Sequence, residues 1–170
     1  MKKQKGFSLI ELLIVVAIIL IIAAIAIPNL LRSKMAANEA SAVGSIRTIN
    51  TAQVTYSSAW GTGYATALAN LGDGGANPCV AAAATACLID GVLAGGTKSG
   101  YTFTSTGNLA NAGVNNGFQV TATPAVVGTT GQRAFCSDQT GVIRFNTVGT
   151  VPAVCANLAT AAGVSGPLGN

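Results

Sequence analysis

The chain of 170 residues contains no histidine, and only 8% of its residues are charged. Without imidazole there is no Ser-His or Cys-His pair to activate a nucleophile, and no nitrogen ligand for zinc. The four cysteines, at positions 79, 87, 136 and 155, include no C-x-x-C pair, so their spacing does not favour a metal. Acids are scarce: Glu11, Glu39, Asp73, Asp90 and Asp138. No two of them lie close in sequence or at helical i, i+4 spacing, which leaves no carboxylate pair for acid–base work. The stretches GTGYAT and GDGGAN have loop composition without a strand before and a helix after, so they do not read as phosphate cradles. Asp73 and Asp90 read better as solvated loop acids than as calcium ligands. These absences argue against an enzyme and against a bound metal or cofactor.

The formal charge of +4 is equally uninformative once it is located. Lys2, Lys3 and Lys5 precede the apolar run, and without them 6 basic residues face 5 acidic ones. From residue 51 onward Lys98, Arg133 and Arg144 balance Asp73, Asp90 and Asp138. No basic stripe remains to track a phosphate backbone, so no nucleic-acid partner is expected.

What the chain does have is a long apolar run with an acid near its start. KGFSLIELL opens it, and residues 12–27 contain no polar side chain at all. Residues 7–27 form a stretch of roughly 31 Å as a helix, matching a hydrocarbon core of about 30 Å. Lysines before the run bias the N-terminus towards the cytoplasm. A secretory signal with Ala24 and Ala26 as its small-x-small site, cut before Ile27, has the same outline. The length of the run, the glutamate inside it and the unbroken helical pattern beyond Pro28 speak against that reading. Glu11 is the anomaly: a carboxylate costs about 2.5–3.5 kcal/mol at the centre of a bilayer.

Beyond Pro28, which is expected to bend or loosen the helix, Met35, Ala42, Ile46, Ile49, Gln53, Tyr56 and Trp60 recur at steps of three, four and seven. This is one stripe of an amphipathic helix over residues 35–60, with Arg32, Glu39 and Arg47 read as lying largely off it. Gly44 costs about 1 kcal/mol against alanine in a helix interior, so tertiary support is expected.

After Trp60 the composition shifts to Gly, Ala, Thr, Ser and Asn. Residues 61–78 read as loop with one short helical turn, and AAAATACLIDGVLA as a second short helix. GYTFTSTG and GFQVTATP alternate apolar and polar residues, and RAFCSDQTGVIRF reads as a hairpin turning at Asp138-Gln139-Thr140-Gly141. Three or four antiparallel strands with one apolar face, plus one apolar helix stripe, predict an α+β fold in which the second half of a long helix packs on a small antiparallel sheet. The even cysteine count favours disulfides. Of three possible pairings, Cys79–Cys87 with Cys136–Cys155 closes two local loops, each contributing on the order of 3 kcal/mol.

Lys5-Gly6-Phe7-Ser8-Leu9-Ile10-Glu11, the apolar run and Pro28 together resemble the class III signal of type IV pilins and the related pseudopilins. The resemblance is specific over residues 5–28 and architectural beyond. It implies a leader of residues 1–6 cut after Gly6 by a prepilin peptidase, and N-methylation of Phe7 by the same enzyme. It implies an apolar segment (7–34) that sits in membrane lipid before assembly and in a filament core afterwards. An amphipathic half-helix (35–60) and a head (61–170) with a disulfide-bounded C-terminal loop at Cys136 and Cys155 would follow, the apolar half protruding. Glu11 falls on the family's N-terminal glutamate, which docks a neighbour's Phe7 amine: two charges costly alone become tolerable as a pair. The implied partners are further copies in a helical homo-oligomer and an inner-membrane assembly platform. The implied location is a single-pass inner-membrane protein that becomes an extracellular pilus. Two features depart from the pattern. Leu20 stands eight residues before the proline where many pilins have glycine, and Cys79 and Cys87 form an additional pair. A secretion pseudopilin or a minor pilin shares the N-terminal code, although only Asp138 lies beyond Asp90 to supply the C-terminal calcium site common in major pseudopilins.

Overall fold

A computed structural model of the chain describes residues 7–75, 78–150, 155 and 164–167. A helix, α1, runs Leu9–Trp60 with Pro28 inside it. Proline carries no N–H, so the carbonyl of Ala24 loses its i+4 donor, yet the helix continues through. The fold divides into two units, Met1–Lys34 and Met35–Asn170.

In the first unit the side chains from Leu9 to Leu31 are solvent-exposed, with Ala23 alone partly covered. The sequence of leucine, isoleucine, valine and alanine makes a helix that is apolar all round, the composition of a membrane or multi-helix core rather than of a surface helix.

In the second unit α1 buries one stripe: Glu39, Ala42, Ser45, Ile46, Ile49, Ala52, Gln53 and Tyr56. The expected stripe is therefore present, with Met35 and Trp60 half-buried at its ends. Its opposite face carries Thr48, Thr51, Thr55 and Ser58, whose hydroxyls donate to the carbonyls of Gly44, Arg47, Thr51 and Val54 four residues back. Gly44 is exposed, with nothing near the place where a Cβ would stand.

The stripe meets an antiparallel sheet whose six strands lie side by side in chain order: β1 Thr97–Lys98, β2 Tyr101–Asn111, β3 Val114–Pro124, β4 Ala134–Asp138, β5 Arg144–Asn146 and β6 Val164–Pro167. Period-2 alternation puts Tyr101 and Phe103 of β2, Phe118, Val120 and Ala122 of β3, and Phe135 of β4 into one core with Ala42, Ile46, Ile49, Ala52 and Tyr56. Fully burying a side chain such as Phe118 or Ile46 contributes about 1.5–3 kcal/mol. The outward positions of β2, Thr102, Thr104 and Thr106, are exposed. The β4–β5 turn forms at Asp138–Gly141, where the Gly141 N–H donates to the Asp138 carbonyl at 2.9 Å and the Thr140 N–H to Asp138 Oδ1 at 2.9 Å.

The structure corrects the sequence reading in three places. First, the β2–β3 hairpin is longer than its alternating residues: it continues to Asn111↔Val114 through polar and glycine positions and turns at Ala112-Gly113, both at positive φ. The two-residue strand β1 and the C-terminal β6 join a sheet expected to have three or four strands.

Second, the alanine-rich run is not a helix. Only Gly91–Ala94 (α2) is helical, capped by Asp90, whose side chain accepts from the Leu93 N–H. Residues eight apart in a helix are separated by about 12 Å, whereas the Cys79 and Cys87 Cα atoms lie 6.2 Å apart across their disulfide. The run folds back instead, with Ala82 bridged to Thr85. A short 3-10 helix at Leu68–Leu71 supplies the helical turn expected in the preceding loop.

Third, Glu39 lies on the buried stripe. Its Oε1 accepts the N–H groups of Gln132 (2.9 Å) and Arg133 (3.0 Å), and its Oε2 lies 2.7 Å from the Arg133 guanidinium. Burial pushes the carboxyl pKa up, but the two backbone N–H groups and Arg133 outweigh it and hold the pKa below its ordinary value. Arg133 in turn lies over the rings of Phe135 and Phe145, at 5.6 and 5.3 Å. Gln53 plays a similar part deeper in: wholly buried, it accepts the Ala65 N–H at 2.8 Å and donates to Ser105 Oγ at 2.9 Å.

Cys136 is linked to Cys155, with Cα atoms 5.8 Å apart. Both sulfurs are buried on the sheet, and the Cys155 N–H donates to Gln119 Oε1. The rest of residues 151–163 lies outside the described residues.

Candidate assembly site at the start of the long helix

Phe7 and Ser8 precede the first helical residue, Leu9. Ser8 is the helix N-cap, and Glu11 occupies the third helical position. The Ser8 N–H donates to Glu11 Oε2 at 2.8 Å, and the Leu12 N–H donates to the Ser8 carbonyl at 3.3 Å. This is the glutamate half of a capping box: a carboxylate at the third position reaches back to an N–H that the helix itself leaves unpaired. The negative charge also sits at the positive end of the helix dipole. Its signal is open in the sequence as Ser8-Leu9-Ile10-Glu11, but the sequence reading of the acid rests on its cost in lipid and on docking, not on capping.

The cap accounts for one lone pair of Glu11, not for its charge. On its own helical face Glu11 is followed by Val15, Ile18 and Ile22. The next basic residue along α1 is Arg32, far beyond side-chain reach. Arg32 and Lys34 are exposed at the far end of the apolar unit. Among the described residues Glu11 therefore has no cationic side chain to neutralise it. The backbone nitrogen of Phe7 adjoins the capped Ser8, and Phe7 is exposed. In the uncut chain that nitrogen is an amide. Residues 1–6, expected to be a leader, lie outside the described residues.

Of the remaining sequence candidates, Pro28 lies within α1, and the cysteines form the two bridges already given. Asp90 caps α2 and pairs with Lys98 at 3.1 Å, while Asp73 accepts the Gly75 N–H at 3.0 Å. Among the described residues no cluster of acids or cysteines is arranged to hold a metal. Helix α1 is long and apolar enough to cross a membrane.

Comparison with known proteins locates the resemblance where the site lies. The family model described as the prokaryotic N-terminal methylation motif matches residues 1–27. The type IV wide pilus major component PilA4 of Thermus thermophilus is 62% identical over 39 residues, 23% of this chain and 30% of that protein. The type IV major pilin protein PilA of Myxococcus xanthus is 45% identical over 54 residues, 32% of this chain and 24% of that protein. The chain thus covers less than a third of the length of either relative. No solved structure matches it significantly. The chain carries the prokaryotic N-terminal methylation motif, and in sequence it is similar to type IV major pilins.

Proposed function

We propose that this chain is a structural subunit of a type IV pilus filament. It enters the inner membrane as a prepilin with its N-terminus in the cytoplasm. A prepilin peptidase removes residues 1–6 after Gly6 and methylates the new amine at Phe7. The apolar helix of residues 7–34 then leaves lipid for a filament core made of further copies, drawn out by an inner-membrane assembly platform. Residues 35–60 and the head, 61–170, form the outer part of each subunit.

The observation that carries this reading is the exposed carboxylate of Glu11 at the head of a wholly apolar, exposed helix, with no cation on its own helical face. A charge so placed is costly in lipid and in a protein core alike, and in the filament core a neighbour's Phe7 amine neutralises it. Plain membrane anchoring needs neither the acid nor the Gly6-Phe7 junction. The similarity to major pilins supports a filament built chiefly of this chain.

Intact-mass measurement on sheared filaments tests the proposal. The expected mass begins at Phe7 and includes one methyl group. Gly6→Leu is expected to block the cut and leave the full chain in the membrane. A filament subunit that retains Met1 to Gly6 would overturn the reading.

A further inference from the structure

The two cystines sit in different surroundings. Cys136 and Cys155 are 0% and 2% exposed, and Cys136 lies within β4. Cys79 and Cys87 are half-buried, and Pro78 and residues 80–84 beside them are exposed. A thiolate in solvent therefore has access to the first bridge and is kept from the second.

The two ends of the first bridge are also anchored differently. On the Cys87 side the N–H groups of Ala86, Cys87, Leu88 and Ile89 donate to the carbonyls of Asn70, Gly72 and, twice, Leu71, at 2.8–3.1 Å. Ala86, Ile89 and Leu71 are buried in the core. Cys87 holds φ +57, a left-handed conformation that residues with a side chain seldom adopt. Backbone pairing on both of its sides, not the sulfur bond alone, keeps it there. On the Cys79 side residues 80–85 fold back on themselves. Ala82 and Thr85 exchange N–H···O bonds at 3.0 Å, and the Thr85 hydroxyl donates to the Val80 carbonyl at 3.4 Å. Among the described residues, the hydrogen bond tying 80–85 to the rest of the head runs from the Tyr56 hydroxyl to the Ala83 carbonyl, at 2.8 Å. The Tyr56 ring lies against Trp60, with centroids 4.8 Å apart.

The geometry points to Cys79–Cys87 as a thiol–disulfide exchange site, a latch that a dithiol opens while the Cys136–Cys155 bridge and the head fold stay intact, independently of the filament reading above. The thiolate of the dithiol attacks one sulfur of the bridge, forming a mixed disulfide and releasing the other sulfur as a thiolate. The second thiol of the reagent then displaces the protein. The dithiol is thereby oxidised to a disulfide, and its two electrons and two protons end on the two cysteines. Neither thiol is left stranded. Cys79 Sγ lies 3.7 Å from the Asp73 carbonyl oxygen, and Cys87 Sγ 3.6 Å from that of Thr85. Each carbonyl is placed to accept from an S–H, the weak donor that a cystine lacks. Opening frees the arm of residues 79–85, and the chain entropy it regains favours the reduced form. Cys87 stays pinned by its backbone, ready to close the bridge again under oxidising conditions. The state of the bridge passes through the Ala83 carbonyl to Tyr56, and from Tyr56 to Trp60 at the end of α1.

The test uses the full chain, solubilised in detergent and equilibrated in dithiothreitol buffers of graded reduced-to-oxidised ratio. Acid quenching, alkylation of thiols and peptide mass then read each cysteine. Cys79 and Cys87 should become alkylated together at a ratio roughly tenfold or more below that needed for Cys136 and Cys155, which is about 30 mV for a two-electron couple. Within that window amide exchange should quicken at Ala82 and Thr85 and stay slow from Ala86 to Ile89. The emission of Trp60, the chain's single tryptophan, should shift on opening, and should shift less in Tyr56→Phe, which lacks the hydroxyl that holds Ala83. Removal of the reductant should restore the bridge. Opening of both bridges at one ratio, or of Cys136–Cys155 first, would overturn the inference. So would loss of exchange protection throughout the head, or at Ala86 to Ile89, when only the first bridge is open. A Trp60 shift of equal size in Tyr56→Phe would overturn the path from the bridge to α1.

Discussion

The Glu39 carboxylate and the Arg133 guanidinium meet at 2.7 Å across 94 residues of sequence, joining the long helix to the start of β4. The same carboxylate takes two backbone N–H groups, so its removal leaves three donors without a partner. Arg133 is partly exposed, which moderates the loss. Glu39→Ala is expected to destabilise the folded chain by about 2–3 kcal/mol and Glu39→Gln by about 1–2 kcal/mol, read as a shift in denaturation midpoint of the detergent-solubilised protein.

The pH dependence of that difference follows from the depressed pKa of Glu39. A carboxyl held below its ordinary value of 4.5 in the folded chain contributes its full stabilisation above that value. The contribution falls as pH drops through the folded-state pKa. The stability gap between wild type and Glu39→Gln should therefore be flat above pH 4.5 and shrink below it. A gap that is widest in acid would show that Glu39 folds as the neutral acid.

Gln53 tests the buried polar ties of the helix independently. Gln53→Leu preserves an apolar surface on the stripe but orphans the Ala65 N–H and takes a partner from Ser105. A loss of about 1–3 kcal/mol is expected, larger than for Thr51→Val, because the Thr51 hydroxyl bonds only to its own helix.

Non-reducing peptide mapping should recover Cys79 with Cys87 and Cys136 with Cys155. Opening the second bridge by paired Cys→Ser substitution should cost more than opening the first. It closes the longer loop, 19 against 8 residues of separation, and its sulfurs are buried in the sheet. Either loss is expected within the usual range of about 2–5 kcal/mol. Four free thiols in extracellular filaments would contradict both bridges.

At the N-terminus two substitutions separate the cap from the charge. Glu11→Gln keeps an oxygen able to accept the Ser8 N–H, while Glu11→Val removes both oxygen and charge. If Glu11 serves other subunits through its charge, both variants are processed and inserted, and neither assembles when it is the sole subunit. An uncompensated member of a buried pair costs about 3–5 kcal/mol, repeated at every subunit. Comparison of membrane fractions with sheared filaments decides the matter. Normal filaments from Glu11→Gln would reduce Glu11 to a helix cap.

Much of this architecture was legible in the residues. The helix stripe showed in the 3.6-residue spacing of Ala42, Ile46, Ile49 and Tyr56, and the β4–β5 turn in Asp138 and Gly141. The methylation motif was readable as a contiguous pattern. What the sequence hid was pairing at a distance. Glu39 stands four residues after Met35 and three before Ala42, squarely on the stripe, but a charged side chain was assigned to the surface because its partner lay 94 residues away. The alanine run misled for the opposite reason: its helix propensity is real, and a covalent bridge between its flanks overrides it. The tip of the β2–β3 hairpin lacks apolar alternation, so the ladder there is visible only in the backbone.

The nearest-neighbour order of the sheet has a kinetic consequence. Each strand pairs with the one before it, so the sheet can grow by short loop closures as the chain emerges. The contacts that fasten it to α1 close far larger loops, with Glu39 to Arg133 among the longest, and such closures carry the greater entropic cost. Folding should therefore zip the hairpins first and seat them on the helix afterwards. Loosening the Glu39–Arg133 contact would then chiefly hasten unfolding while leaving the folding rate nearly unchanged. Stopped-flow refolding of Glu39→Gln would reveal this directly, and a slowed folding limb would place the helix contact in the nucleus instead.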